Sequence, residues 1–78
     1  MKELLTTMAQ GLVEDPTAVN VTVDDINDEG VTVYHLFVGD GDMGRVIGKE
    51  GRIAKAIRTV MRAAATRQDE KIMVEIGD

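Results

Sequence analysis

Residues 46–53 read Val46-Ile47-Gly48-Lys49-Glu50-Gly51-Arg52-Ile53: two apolar residues, a Gly-x-x-Gly tetrapeptide, an arginine, and an isoleucine that opens a long apolar-periodic segment. Glycine carries only hydrogen as a side chain. Gly48 and Gly51 can therefore adopt turn conformations barred to other residues and let a ligand come close to the main chain. From Arg52 to Arg67 apolar residues fall at Ile53, Ala56, Ile57, Val60, Met61 and Ala64 in helical spacing, while Arg52, Lys55, Thr59 and Arg62 line another face. The tetrapeptide thus stands before a helix N-terminus, where unpaired amides and the positive end of the helix dipole favour an anion. Lys49 and Arg52 add charge beside it, and Arg45 and Lys55, about one turn away on either side, widen the basic rim. Ile47 and Ile53 are expected to anchor the two ends of the tetrapeptide in the core.

Upstream, Gly39, Asp40, Gly41 and Asp42 break the chain, and either aspartate can cap a short helix expected over 43–47. Before that break, residues 31–38 are rich in β-branched and aromatic residues and read as a strand. Asn27, Asp28, Glu29 and Gly30 are turn formers that separate it from residues 18–24, where Val19, Val21 and Val23 alternate with polar partners. The two segments predict a hairpin. Leu4, Leu5, Met8 and Leu12 predict an amphipathic helix over 2–14, ended by Pro16, which pushes Asp15 out of the helical region. After a polar break at 68–70, Ile72, Val74 and Ile76 alternate with Lys71, Met73 and Glu75 as a last strand. The expected order is α-β-β-α-α-β, an α+β fold with a three-stranded sheet and helices packed on one face.

Seventy-eight residues make one small domain, and 44% hydrophobic with 29% charged residues describe an ordinary globular chain. The net charge of -5 opposes a polyanionic ligand, but the charge is segregated. Residues 1–42 carry nine acids and one base, residues 43–67 seven bases and one acid, and residues 68–78 are acidic again. Local field outweighs total charge in docking a polyanion, so the basic third of the chain keeps that class of ligand open. The absence of cysteine excludes thiolate metal sites and cysteine nucleophiles and suits a reducing cytoplasm. No stretch approaches a membrane span, and the first residues do not read as a secretion signal, so a cytoplasmic protein is expected.

The segment 46–53 resembles the signature of KH domains, in which a Gly-x-x-Gly loop between two helices clamps about four nucleotides. The element order is similar to the type II arrangement over nearly the whole chain, and a free-standing domain of this length resembles the small bacterial KhpA proteins. This resemblance implies single-stranded RNA as ligand and a set of RNA-binding residues: Arg45, Ile47, Gly48, Lys49, Glu50, Gly51, Arg52 and Lys55. Within that set Ile47 also lines a groove for bases, and Glu50 departs from the pattern, because its carboxylate repels phosphate and is expected to point outward. With Trp absent and Tyr34 and Phe37 the only aromatics of the stacking kind, base contacts are expected to be largely aliphatic.

The resemblance further implies a homodimer, or a pairing with a larger KhpB-like KH protein, through the alanine-rich long helix, and a role as RNA chaperone or post-transcriptional regulator. It implies no cofactor and no enzymatic activity. A protein-interaction module built on the same scaffold is the alternative reading. Gly-x-x-Gly by itself is an ordinary helix-to-helix turn; the flanking isoleucines, the basic helix and the element order carry the RNA reading. The acidic runs at 24–29 and 40–42 lack calcium-loop spacing and read as solvated turns, and His35 has no nucleophile near it in sequence. Arg58, Arg62 and Arg67 read equally well as solvated or as contacting the ligand.

Overall fold

The structure, a computed structural model, describes residues 1–77, with the main chain only at Lys49 and Glu50. Helix α1 spans Lys2–Leu12, strand β1 Asn20–Val23 and strand β2 Val31–Phe37. A helical run, α2, covers Asp40–Arg67, and strand β3 covers Lys71–Gly77. Strand β1 pairs antiparallel with β2, as two strands joined by a tight turn must, and β2 pairs parallel with β3 across the long α2 crossover. The spatial order is β1-β2-β3, so β2 is central and β3 has one free edge.

Alternation along the strands decides which face the helices cover. Val21 of β1, Tyr34 and Leu36 of β2, Val38 just beyond it and Val74 of β3 point inward. They meet Leu5 and Ala9 of α1 and Val46, Ala54, Ile57 and Met61 of α2; Ala65, further along α2, is buried as well. The buried pair on α1 is spaced four apart, as one face of a helix requires, and Leu4 and Leu12 of the expected stripe stand at its exposed margin. Ala18, expected at the start of β1, belongs instead to a 3-10 turn over Pro16–Ala18 that is set by the fixed backbone angle of proline.

The expected short helix, open loop and long helix are joined into one 28-residue helical run, which corrects the reading of 48–51 as an open loop. The run is not straight. Gly51 has φ 68, a left-handed conformation, and a straight helix of that length would span about 42 Å, more than the 34 Å longest extent of the molecule. The run is therefore two helical arms meeting at Gly51, which keeps the order α-β-β-α-α-β. At its far end Asp69, at φ 56, closes the run. The Asp69 amide donates to the Thr66 carbonyl and the Glu70 amide to the Ala65 carbonyl, a left-handed cap that turns the chain straight into β3.

Neither Asp40 nor Asp42 caps α2 through its side chain; Gly39 holds the N-cap position. The Asp42 carboxylate is buried and turned back toward α1, where it accepts the amides of Glu14 at 3.0 Å and Asp15 at 3.1 Å. These two bonds tie the end of α1 to the first turn of α2.

On the open face of the sheet His35 links all three strands. Its Nε2 lies 2.8 Å from Asp24 Oδ2, just past β1, and its Nδ1 lies 3.4 Å from Glu75 Oε2 on β3. The hydrogen bond to Asp24 chiefly raises the His35 pKa; the charges of Asp24 and Glu75 add to the rise and partial desolvation opposes it. A group with a raised folded pKa contributes stability that is complete below its unfolded value, 6.5 here, and is lost as pH climbs through the raised value. The melting temperature should therefore fall as pH is raised through that window, and His35→Gln should flatten the dependence. Melts across pH that superimpose for the two proteins would refute the clamp.

Candidate nucleic-acid interface

The second arm of α2 packs over β3, and its basic side chains are carried along the strand's free edge. Ile47, Gly51, Ala54, Lys55, Arg58 and Ile76 line one hollow there, at the C-terminal end of β3. Arg58, Arg62, Ile72, Met73 and Val74 line a second, and the two hollows form a groove along the strand with the Arg58 side chain between them. Its floor is aliphatic, and Lys55, Arg58 and Arg62 stand on its helical wall. The opposite wall is the edge of β3, where the Val74 carbonyl faces out and accepts a hydrogen bond from Arg58 Nε at 3.2 Å. Peptide groups of alternate residues point to the same side of a strand, so Ile72 and Ile76 also turn their main-chain donors and acceptors toward the groove.

A third hollow lies on another side of the bend and is lined by Gly44, Arg45, Gly48, Arg52 and Ile53. The residues singled out from the sequence are thus divided. Ile47, Gly51 and Lys55 belong to the groove; Arg45, Gly48 and Arg52 belong to the other hollow. The expectations for the side chains of Lys49 and Glu50 lie outside the described residues.

Two readings of the flanks are corrected. Ile47 is 51% exposed and does not anchor the bend in the core; Val46, fully buried, does. Adjacent residues on a helix lie about 100° apart, so only one of the pair can face the sheet, and the larger isoleucine is left to the groove. Val60, expected in the core stripe, is 43% exposed, because Ile57 and Met61 already fill the inward face.

Arg45 is not a free cation. Its guanidinium pairs with Glu14, and its Nε lies 3.8 Å from Asp42 Oδ1. Much of its charge is answered inside the protein, which leaves Arg52 as the cation of that hollow with no carboxylate paired to it among the described residues. Neither aromatic enters the groove. Tyr34 is buried in the core, and the Phe37 ring stacks on His35 with centroids 6.5 Å apart, on the open face of the sheet.

Sequence reading did not find Arg58, Ile72 or Ile76 as groove residues. The helical period places Arg58 one turn beyond Ala54 and Lys55, but nothing in the order of residues tells that β3 lies beside that turn. At the other end of β3 a further depression is lined by Glu29, Asp69 and Glu70, whose carboxylates repel phosphate.

The two glycines differ in what they do. Gly48 sits at negative φ in the first arm with open space where a Cβ would be, so Gly48→Ala should stabilise the fold by about 0.5–1 kcal/mol. Gly51 also has open space, but its φ of 68 penalises any Cβ, and Gly51→Ala should cost about 1–2 kcal/mol. Urea denaturation of the two variants measures the contrast; equal shifts would mean that Gly51 does not set the bend.

A family model for the KhpA/KhpB KH domain matches residues 2–76. The RNA-binding protein KhpA of Clostridium acetobutylicum is 49% identical over 76 residues, covering 97% of this chain and 99% of its own. Its namesake in Listeria monocytogenes is 47% identical over the same length, covering 97% of each, and that of Chlamydia trachomatis is 40% identical, covering 97% and 95%. Among solved structures, Aquifex aeolicus Era bound to GDP and aluminium fluoride superimposes with a TM-score of 0.67 at 21% identity, over 96% of this chain and 28% of that one. Era in complex with MgGDPNP and nucleotides 1506–1542 of 16S ribosomal RNA gives a TM-score of 0.62 at 20% identity, with the same coverage. At these identities the likeness to Era is one of fold.

Proposed function

This chain belongs to the KhpA/KhpB KH-domain family, and from that membership we propose that it is a non-enzymatic RNA-binding protein that holds single-stranded RNA along the free edge of β3. One observation carries the reading: an aliphatic groove bounded by an unpaired strand edge and by Lys55, Arg58 and Arg62, with the glycine bend at its end. Bases lie against Ile47, Ala54 and Ile76, and their polar edges meet the main chain of β3. The sugar-phosphate backbone crosses the bend at Gly48–Gly51, beside Lys49 and Arg52, at the N-terminal end of the second arm. Arg45, held by Glu14, contributes least. Without an aromatic platform, binding is modest in affinity, and sequence preference is limited to what single polar contacts in the groove supply.

Three to four phosphate contacts give a log-log salt slope of about -2 to -3 for a single strand, roughly a 20- to 50-fold loss of affinity between 50 and 200 mM salt. Fluorescence anisotropy with a short unstructured RNA reads it directly. A flat salt response would reject the proposal.

A second reading concerns partners. The outward face of the second arm bears Ala56, Val60 and Ala63, an apolar and small-residue strip that leaves Val60 exposed. It suits a second copy, or a KhpB-like KH protein, packed helix on helix. Such pairing responds little to salt, so Val60→Asp should shift the sedimentation coefficient to that of a monomer while the RNA salt slope stays. In the cytoplasm, such a protein would serve as an RNA chaperone or post-transcriptional regulator. Among the described residues no helix is long and apolar enough to cross a membrane.

A further inference from the structure

Arg58 differs from the other cations of the groove in being tied down. Its Nε donates to the Val74 carbonyl at 3.2 Å in a part-buried position, 16 residues away in sequence, and the side chain borders both hollows of the groove. Among the described residues no carboxylate pairs with it. Arginine has five N–H donors and no acceptor, so one is spent on the strand edge and the four on Nη1 and Nη2 remain for a ligand. The planar fork is held beside the aliphatic residues that line both hollows, with its Nη donors left to meet the edge of a base lying against them.

We propose that Arg58 is a specificity-determining residue, which selects at its position in the groove a base presenting two adjacent acceptors, guanine through O6 and N7 or cytosine through O2 and N3. The inference rests on the RNA-binding reading and adds to it the class of base preferred. Adenine sets a donor amino group beside each ring acceptor that the fork could use, and uracil separates its two carbonyls by an N–H donor, so each satisfies one of the paired donors and leaves the other facing a donor or nothing. Lysine at the same position keeps the charge but not the fork.

The test uses the full chain and 5′-labelled RNA octamers in fluorescence anisotropy: all-uridine, all-adenosine and all-cytidine, and uridine octamers carrying one central guanosine. The wild type should bind the cytidine and guanosine-bearing octamers on the order of tenfold more tightly than the uridine and adenosine ones. Arg58→Lys, which keeps the charge but not the fork, should bring the cytidine and guanosine-bearing octamers to within about threefold of the uridine octamer, erasing the preference. Arg58→Gln, neutral but still able to donate to Val74, guards against a folding defect in the lysine variant, and melting curves accompany both. A wild type that binds all octamers alike, or an Arg58→Lys variant that keeps the preference, overturns the role of Arg58 and leaves the RNA-binding reading standing. Failure of the wild type to bind any octamer overturns both.

Discussion

Replacing Lys49 and Glu50 together by aspartate should weaken binding of single-stranded RNA by on the order of a hundredfold at moderate salt, with the fold preserved. Lys49→Asp withdraws a positive charge from the bend and puts a negative one in its place. Glu50→Asp keeps its charge but shortens the reach, bringing a second carboxylate closer to the main chain that the phosphates approach. One lost charge-assisted contact and one new repulsion, each worth about 1–2 kcal/mol near a protein surface, add to that factor. The fold should survive because Gly51, whose positive φ makes the bend, is untouched, and because aspartate in a helical run costs only about 0.5 kcal/mol per residue. Anisotropy titrations beside circular-dichroism melts make the measurement. A folded double variant with wild-type affinity would remove the bend from the binding site.

The largest effect on stability is expected at Asp42, a residue far from the groove. It is 3% exposed, and its two oxygens take the amides of Glu14 and Asp15 where the chain leaves α1. Asp42→Ala leaves both amides without a partner in a part-buried position, and the melting temperature should fall by on the order of 10 °C. Asp42→Asn keeps one acceptor but turns an amide donor toward an N–H, so it should fall between the two. The pKa of Asp42 is lowered, first by those two hydrogen bonds and in lesser part by Arg45, against some desolvation. A depressed folded pKa contributes stability above the ordinary value of 3.8 that is lost as pH drops through the lowered one. The gap between wild type and Asp42→Ala should accordingly close in acid, and a gap that persists would mean that packing rather than the carboxylate is responsible.

The same acidic segment shows where sequence reading stops. Asp40 and Asp42 follow a glycine just before a helix, the usual place of an N-cap, and local rules assign one of them there. The structure assigns the cap position to Gly39 and sends Asp42 to partners 27 and 28 residues back. Charge segregation, read as a basic third that keeps RNA open, likewise carried no sign that Glu14 would reach Arg45 and answer one of the seven bases. The exposed Ile47 and Val60 belong to the same class: the apolar stripe was visible, but its width relative to the sheet was not.

Periods of two and of 3.6 residues, a proline, and glycines at turns are properties of neighbours in the chain, and from them alone the hairpin, the three strands, the helical segments and the place of the Gly-x-x-Gly break between two helices could be written down. Proximity across the fold is a different kind of fact. That β3 lies parallel to β2 with its outer edge bare, that Arg58 ties itself to Val74, and that six of the eight residues singled out split between two hollows all depend on the angle at which the second arm leaves Gly51 and crosses the sheet. That angle is set by the joint packing of Val46, Ile57, Met61 and Val74, a balance of many contacts distant in sequence that no local pattern encodes.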